Sequence, residues 1–256
     1  MLQVVTGRFH PTLESALVHR LTRVKAPDPL APIAIFVPSK PLADRLRTIF
    51  AVEHRLSLFN VHILTFHQLA LRLAGDVQVN YPLPRVVDEL FFEQLVRHIV
   101  HSKLTSQAPL QRIGQSSGTW GALWATIRDL KDATVDAAQA LQGLREGYFE
   151  DDDREWLGAL LSLYAAVKEA GRTLGVGTQD DLAEALIPLI PTATFLQPLK
   201  AVFYYGFYDL TQVQLSLFEA ISRAKDTTLF FPLEDDPAFG FARRFFDRHI
   251  QSLVMS

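Results

Sequence analysis

Short apolar runs alternate with helical patterns at both ends of this chain, and this alternation restricts the fold more than any other feature. It occupies residues 1–75 and returns in residues 200–256. The runs are Leu2–Thr6, Ile33–Val37, Val61–Leu64, Ala201–Tyr205 and Thr227–Phe231, and a helix is predicted over 238–253 after the last of them. A strand pattern followed each time by a helical pattern is typical of parallel strands joined by crossover helices. The sequence therefore predicts an α/β fold, with a parallel sheet and helices on both faces.

Residues 76–199 have a different character, because helical periods dominate and strand patterns are absent. The predicted helices of this segment are Arg85–His101, Trp120–Lys131, Val135–Arg145, Asp153–Arg172 and Gln179–Leu189. We therefore expect an all-α insertion at 76–199 within an α/β core formed by 1–75 and 200–256.

Composition excludes several classes of function. The chain has no Cys, so disulfides, thiolate metal sites and cysteine nucleophiles are all excluded. His98 and His101 have a metal-compatible spacing without a further ligand nearby, and we expect no metal and no cofactor. No apolar run is long enough for a membrane helix, and the N-terminus lacks a secretory leader. We expect a cytoplasmic protein without a membrane partner.

Charge is unevenly distributed along the chain. Residues 1–75 contain nine Lys and Arg against four Asp and Glu, although the whole chain has a net charge of -3. A basic first segment favours a polyanionic partner, but ordinary variation of surface charge explains the same numbers.

The first strand-to-helix turn contains Gly7, Arg8, Phe9 and His10 and stands where a phosphate-binding loop would lie. Only the first glycine of that motif is present, and its Lys and its magnesium-binding hydroxyl are both missing. The β and γ phosphates of a nucleotide would lose their cationic partner. An anion could still bind through backbone N–H groups, helped by Arg8 or His10.

The order of the segments resembles the first motor domain of superfamily 1 helicases of the UvrD type. The Gly7 turn has the position of the phosphate loop, and Ile33–Lys40 is similar to the second strand with its DNA-facing loop. Leu64–Ala70 is similar to the Thr-Phe-His segment of that family, and Gly177–Leu186 resembles its Asp-Asp-Leu helix. The resemblance implies a P-loop, RecA-like sheet.

One branch of that superfamily fits best, the AddB subunits of bacterial helicase-nucleases. The missing phosphate-loop Lys, the missing acidic pair after Ala201–Tyr205, and the phrase Gly206–Gln214 carry this resemblance. It implies a domain of DNA repair and recombination that has lost its ATP-binding residues, in a parent protein with a PD-(D/E)XK exonuclease domain elsewhere. For this chain alone it implies neither ATPase nor nuclease activity.

The resemblance also implies which residues bind DNA. Ser39, Lys40, Thr65, Phe66 and His67 match loops that face single-stranded DNA in the motor family. Hydroxyl, Lys and backbone N–H groups at such loops can contact phosphates, and an aromatic ring can stack on a base. The implied partners are single-stranded DNA or DNA ends and a UvrD-like motor subunit.

Two other hypotheses remain open at this point. One is an active P-loop ATPase whose unusual loop uses Arg8 or His10 in place of Lys. The other is a protein-interaction module whose helical insertion docks a motor subunit, with DNA contact incidental.

Overall fold

Two units make up the chain. The structure, a computed structural model, describes residues 2–76, 82–106, 108–113, 118–147 and 151–254. The first unit joins Met1–Tyr81 to Ala183–Ser256, and the second is Pro82–Leu182. The sequence-based division differs from these bounds mainly at the end of the helical segment, since residues 183–199 belong to the first unit.

Seven strands form within the described residues and build two sheets. They are β1 (Leu2–Gly7), β2 (Ile33–Phe36), β3 (Val61–Leu64), β4 (Arg85–Val86), β5 (Val176–Gly177), β6 (Ala201–Tyr205) and β7 (Thr227–Pro232). The main sheet has the order β1-β7-β6-β2-β3 and is parallel throughout, and β4 pairs with β5 in the second unit.

Twelve α-helices accompany these strands in the described residues. The first six are α1 (Glu14–Lys25), α2 (Lys40–Thr48), α3 (Phe66–Asp76), α4 (Glu89–Ser102), α5 (Ala108–Ile113) and α6 (Thr119–Asp132). The others are α7 (Ala137–Arg145), α8 (Asp151–Leu174), α9 (Gln179–Leu186), α10 (Gln212–Ala224), α11 (Gly240–Phe245) and α12 (Gln251–Val254). Each of those helices is too short or too polar to cross a bilayer.

Burial explains why the strand sequences are continuous apolar runs rather than alternating patterns. Every residue of β2, β6 and β7 is buried, whereas the edge strands β1 and β3 are largely half-buried. A parallel sheet covered on both faces needs apolar side chains in both directions. The predicted α/β fold class, with its parallel sheet between helices, is confirmed.

The two faces of the sheet have separate cores. One face carries Ile35, Phe203 and Tyr205, which pack in one cluster with Leu17 of α1 and Leu46 of α2. On the opposite face, Tyr204 packs edge-on against Phe218 of α10, with ring centroids 4.8 Å apart. Phe66 of α3 and Phe245 of α11 contact this second face through Tyr204 and Phe231. Alternate residues of one strand therefore hold helices on both sides.

The second unit is built around aromatic packing of α4, α6 and α8. Phe92 and Trp124 are stacked, with centroids 4.3 Å apart and ring planes 4° from parallel. Tyr164 of α8 lies 2% exposed, and its hydroxyl donates to the carbonyl of Val135 at 3.0 Å. These contacts give the helical unit a hydrophobic core of its own.

Three predicted helices differ from the observed ones for local reasons. The helix predicted from Arg85 begins at Glu89, because Asp88 caps it by accepting from the Phe91 amide at 2.9 Å. The helix from Gln179 ends at Leu186, where Pro188 and Pro191 favour the tighter 3-10 turn Ile187–Thr192. The helix predicted over 238–253 is divided into 3-10, α and π segments.

Candidate functional site

The carboxyl edge of the main sheet brings together the loops that the sequence singled out. Because all five strands are parallel, the turns after β1, β2, β3, β6 and β7 lie along one edge. Ligands of open α/β sheets bind at this edge, outside the carboxyl ends of the strands. The edge divides into a region after β2 and β3 and a region after β1, β6 and β7.

The predicted DNA-binding residues lie in adjacent loops after β2 and β3. Phe36 pairs with Leu64, and the amide of Val37 donates to the Leu64 carbonyl at 2.9 Å. The chain then enters α2 at Lys40 and α3 at Phe66, so these two helix starts are neighbours. The structure thus brings Ser39 and Lys40 to the same part of the edge as residues 65–67.

Ser39 and Lys40 form the exposed start of α2. The Ser39 hydroxyl accepts a hydrogen bond from the Leu42 amide at 3.4 Å and so acts as the N-cap. Lys40 follows as an exposed first helical residue, and in the described part of the chain no ion pair involves it. A free cation beside a helix N-terminus favours the approach of an anion.

Thr65 caps α3 in the same way. Its hydroxyl accepts from the Gln68 amide at 3.3 Å, and the Gln68 side chain accepts from the Thr65 amide at 3.0 Å. This reciprocal pair is a capping box with Gln in place of Glu. His67 is half-buried, and no residue that the structure describes hydrogen-bonds its buried Nδ1. Thr65 therefore fixes the loop, while part of the His67 ring remains at the surface.

Phe66 faces the protein interior instead of the edge. It is 9% exposed, and its ring packs edge-on against Phe207 at 5.2 Å between centroids and lies tilted against Tyr204 at 6.0 Å. A ring enclosed by other aromatic rings has no open face for a base. The spacing of Phe66, Leu69, Ala70 and Leu73, all buried, marks the core-facing side of α3 and could have revealed this in the sequence.

The turn after β1, where a phosphate loop would lie, packs onto the end of β6. The Phe9 ring lies 5.0 Å from the Tyr205 ring, and the Tyr205 hydroxyl donates to the Phe9 carbonyl at 3.5 Å. The Leu13 amide donates to the Arg8 carbonyl at 3.0 Å. The loop therefore uses an aromatic side chain and its own backbone groups to close on itself.

The two basic side chains of this turn face carboxylates. Arg8 Nε lies 3.3 Å from Glu234 Oε2, and His10 Nδ1 lies 3.4 Å from Glu14 Oε2. Each basic side chain of this turn therefore has a carboxylate beside it. Sequence reasoning missed Glu234, although the acidic run 234–236 follows the last strand and so belongs to the same edge.

The end of β6 supplies no acid for a metal ion. It ends in Tyr204 and Tyr205, both 0% exposed, and within the described part of the chain the Tyr204 hydroxyl has no hydrogen-bond partner. Burial, and then the nearby Glu14 charge, raise the pKa of Tyr205. Gly206 follows with φ of 86°, and a Cβ there would clash with Leu42 Cδ2, so the chain passes closely under α2. Among the described residues, no three His, Asp or Glu side chains are grouped to hold a metal ion.

No protein-family model and no curated protein matches this sequence. The geometry of the sheet edge and the order of the motifs are therefore what supports a function.

The segment resembling the Asp-Asp-Leu helix is a capped helix start in this structure. Asp181 accepts from the Thr178 amide at 2.7 Å and from Lys131 Nζ at 2.6 Å, and Thr178 accepts from the Asp181 amide at 3.2 Å. The preceding Gly175-Val-Gly177 belongs to a strand-to-helix connection, because β5 ends at Gly177 and α9 begins at Gln179.

Asp180 should make the stability of the helical unit depend on pH. Burial raises the pKa of Asp180 above its usual 3.8, and burial with the neighbouring Asp180 charge raises the pKa of Asp132. A raised pKa stabilises the fold while the carboxyl is protonated, and that contribution is lost as pH rises through the folded-state pKa. We therefore expect Asp180→Asn to be more stable than the wild type at neutral pH, with the difference shrinking toward about pH 4.

Thermal unfolding followed by circular dichroism across this pH range measures the effect. Asp136→Asn is a matched control with the opposite sign, because backbone N–H groups of Gln139 and Ala138 lower the pKa of Asp136. Asp136→Asn should be less stable than the wild type at neutral pH, and this difference should shrink as pH falls. A stability difference between Asp180→Asn and the wild type that does not vary with pH would contradict the prediction.

Proposed function

We propose that this chain is a DNA-binding scaffold unit of a helicase-nuclease that processes DNA double-strand breaks in the cytoplasm. Its proposed role resembles that of the N-terminal half of AddB-like subunits, without ATPase or nuclease activity of its own. Strand separation and cleavage then come from other domains and from a UvrD-like motor subunit.

The packing of Phe9 on Tyr205 is the observation that carries this proposal. In a P-loop ATPase, backbone N–H groups and a Lys surround the phosphates, and an acidic strand end holds magnesium. Here the corresponding turn is closed by an aromatic contact of 5.0 Å, and the corresponding strand ends in buried tyrosines. Arg8 and His10, which an unusual ATPase would need for phosphate, face Glu234 and Glu14.

DNA contact is proposed for the neighbouring region after β2 and β3. Lys40 supplies an exposed cation, Ser39 and Thr65 mark the starts of two helices, and His67 adds a partly exposed ring. Such groups bind the phosphate backbone without reading the base sequence. Because Phe66 is enclosed, base stacking by Phe66 does not enter the proposal.

Single-stranded DNA binding measured by fluorescence anisotropy tests this function. We expect Lys40→Ala with His67→Ala to weaken binding by about tenfold at low salt, because one phosphate contact and one ring contact are lost. Loss of the Lys40 contact should also reduce the slope of log K against log salt by about 0.7.

A control variant is available at a comparable exposed cation. Lys103 lies at the end of α4 in the helical unit, so Lys103→Ala removes the same charge away from the sheet edge. It should leave the affinity and the salt slope nearly unchanged, with all variants folded by circular dichroism. Undetectable DNA binding of the wild type at low salt, or ATP turnover by this chain, would contradict the proposal.

A further inference from the structure

A polar cavity lies at the amino edge of the main sheet, opposite the edge discussed so far. Its volume is about 560 Å³, and its lining comes from the C-terminal half of α1 and from the amino ends of β1, β6 and β7. Gln3, Thr228 and Phe203 are aligned across three neighbouring strands, since Gln3 pairs with Thr228 and Thr228 with Phe203. This row forms one wall of the cavity, beneath α1.

The wall departs from the apolar character of the rest of that sheet face. Farther along the same strands, the positions facing α1 and α2 are apolar or aromatic, including Val5, Tyr205 and Phe230. At the cavity the row instead contains the amide of Gln3 and the hydroxyl of Thr228, which is 5% exposed. A polar group this close to a hydrophobic core is costly unless it has a partner, so the cavity has the lining of a polar binding site.

Three cationic side chains converge on this cavity. Arg20 and Arg23 lie three residues apart on α1 and so share a face, and Lys200 directly precedes β6. Arg20 donates to the neutral side-chain oxygen of Gln3. Within the described residues, no ion pair joins any of the three to a carboxylate. Among the described residues that line the cavity, Asp226 is the one acid, so three cationic side chains and one carboxylate are found there.

We propose that this cavity binds a small ligand through a phosphate group, as a nucleotide would be held. Guanidinium groups donate two parallel hydrogen bonds to phosphate oxygens, and a Lys adds a point charge. The cavity volume lies within the range of about 300–1,000 Å³ that is typical of small-molecule sites. Val24 and Phe203 supply an apolar surface for the organic part of the ligand.

This site is independent of the proposed DNA contact. Neither Lys40 nor His67 lines the cavity, and neither Arg23 nor Lys200 belongs to the carboxyl-edge loops. Loss of one binding activity therefore leaves the other measurable.

Isothermal titration calorimetry of the 256-residue chain with pyrophosphate and with adenosine monophosphate tests the site. Arg23→Gln combined with Lys200→Gln removes two of the cations without touching the Arg20 to Gln3 contact. We expect this double variant to raise the Kd of both ligands by about tenfold or more, because two charge-assisted contacts are lost. Arg97→Gln with Lys103→Gln, two exposed cations of the helical unit, is the charge-matched control and should leave the Kd unchanged.

A second pair of ligands distinguishes a DNA terminus from a free nucleotide as the source of the phosphate group. A 5′-phosphorylated oligonucleotide that competes with pyrophosphate, when its unphosphorylated form does not, assigns the site to a DNA terminus. Competition by adenosine monophosphate alone assigns it to free nucleotides. The proposal is overturned if no phosphate ligand gives saturable binding at millimolar concentration, or if both double variants bind like the wild type.

Discussion

Trp124→Ala is expected to lower the free energy of unfolding of the helical unit by about 3–5 kcal/mol, the range for removing a buried large aromatic residue. Trp124 is 2% exposed and stacks on Phe92, and Lys131 Nζ lies 6.0 Å from its ring centroid. Replacement by Ala leaves a cavity between α4 and α6 and removes the stacking partner of Phe92. Urea unfolding followed by far-ultraviolet circular dichroism measures the loss.

Trp124→Phe is the informative comparison. Among the described residues, none hydrogen-bonds the buried indole Nε1 of Trp124, and burial of such a donor typically costs about 1–3 kcal/mol. Phe retains an aromatic ring against Phe92 and removes that donor, so this variant should lose much less stability than Trp124→Ala. Trp120, which is only half-buried, should also tolerate Ala better. Equal losses at positions 120 and 124 would contradict the stacked core.

Phe66→Ala is expected to destabilise the first unit by about 3–5 kcal/mol, because Phe66 is a core residue of α3. The alternative, in which Phe66 stacks on a DNA base, predicts a stably folded variant that loses about 1–3 kcal/mol of binding energy. Thermal unfolding and anisotropy on the same samples distinguish the two.

Phe66→Leu provides the matched control for this prediction. Leu preserves most of the apolar volume next to Tyr204 and Phe207 but has no aromatic ring. If Phe66 only packs, Phe66→Leu folds and binds single-stranded DNA with nearly wild-type affinity. A selective loss of DNA affinity in Phe66→Leu would show that the aromatic ring itself is needed for binding.

Most strands of the main sheet could be predicted from the sequence, because the strands of a parallel sheet covered on both faces are continuous apolar runs. The runs Val61–Leu64 and Ala201–Tyr205 locate β3 and β6 to the residue. The two-residue strands β4 and β5 are too short to show any period, so they could not be predicted. The order β1-β7-β6-β2-β3 was equally hidden, because the pairing of β2 with β6 joins segments separated by the whole helical unit.

The candidate site was predictable in position but not in detail. Gly7, Ser39 and Thr65 could be placed at strand ends, because the ends of parallel strands share an edge. Which side chains turn inward depends on how each segment lies on the sheet, and this decided the position of Phe9, whereas the apolar spacing of α3 already indicates a buried Phe66. The contacts of Arg8 with Glu234 and of Phe9 with Tyr205 join distant parts of the chain, so no local sequence pattern predicts them.

The short β4–β5 pairing has a consequence for how the main sheet assembles. Arg85 N donates to the Gly175 carbonyl at 2.9 Å and Val87 N to the Gly177 carbonyl at 3.1 Å, so the two ends of the helical unit are tied together. Once the β4–β5 pairing forms, the loop that must close between β3 and β6 contains only residues 65–84 and 178–200. The entropic cost of closing that loop falls accordingly. Doubling the number of residues enclosed by the β4–β5 pairing would raise the entropic cost of forming that pairing by only about 0.6 kcal/mol. The helical unit can thus vary in length while β6 still finds β2.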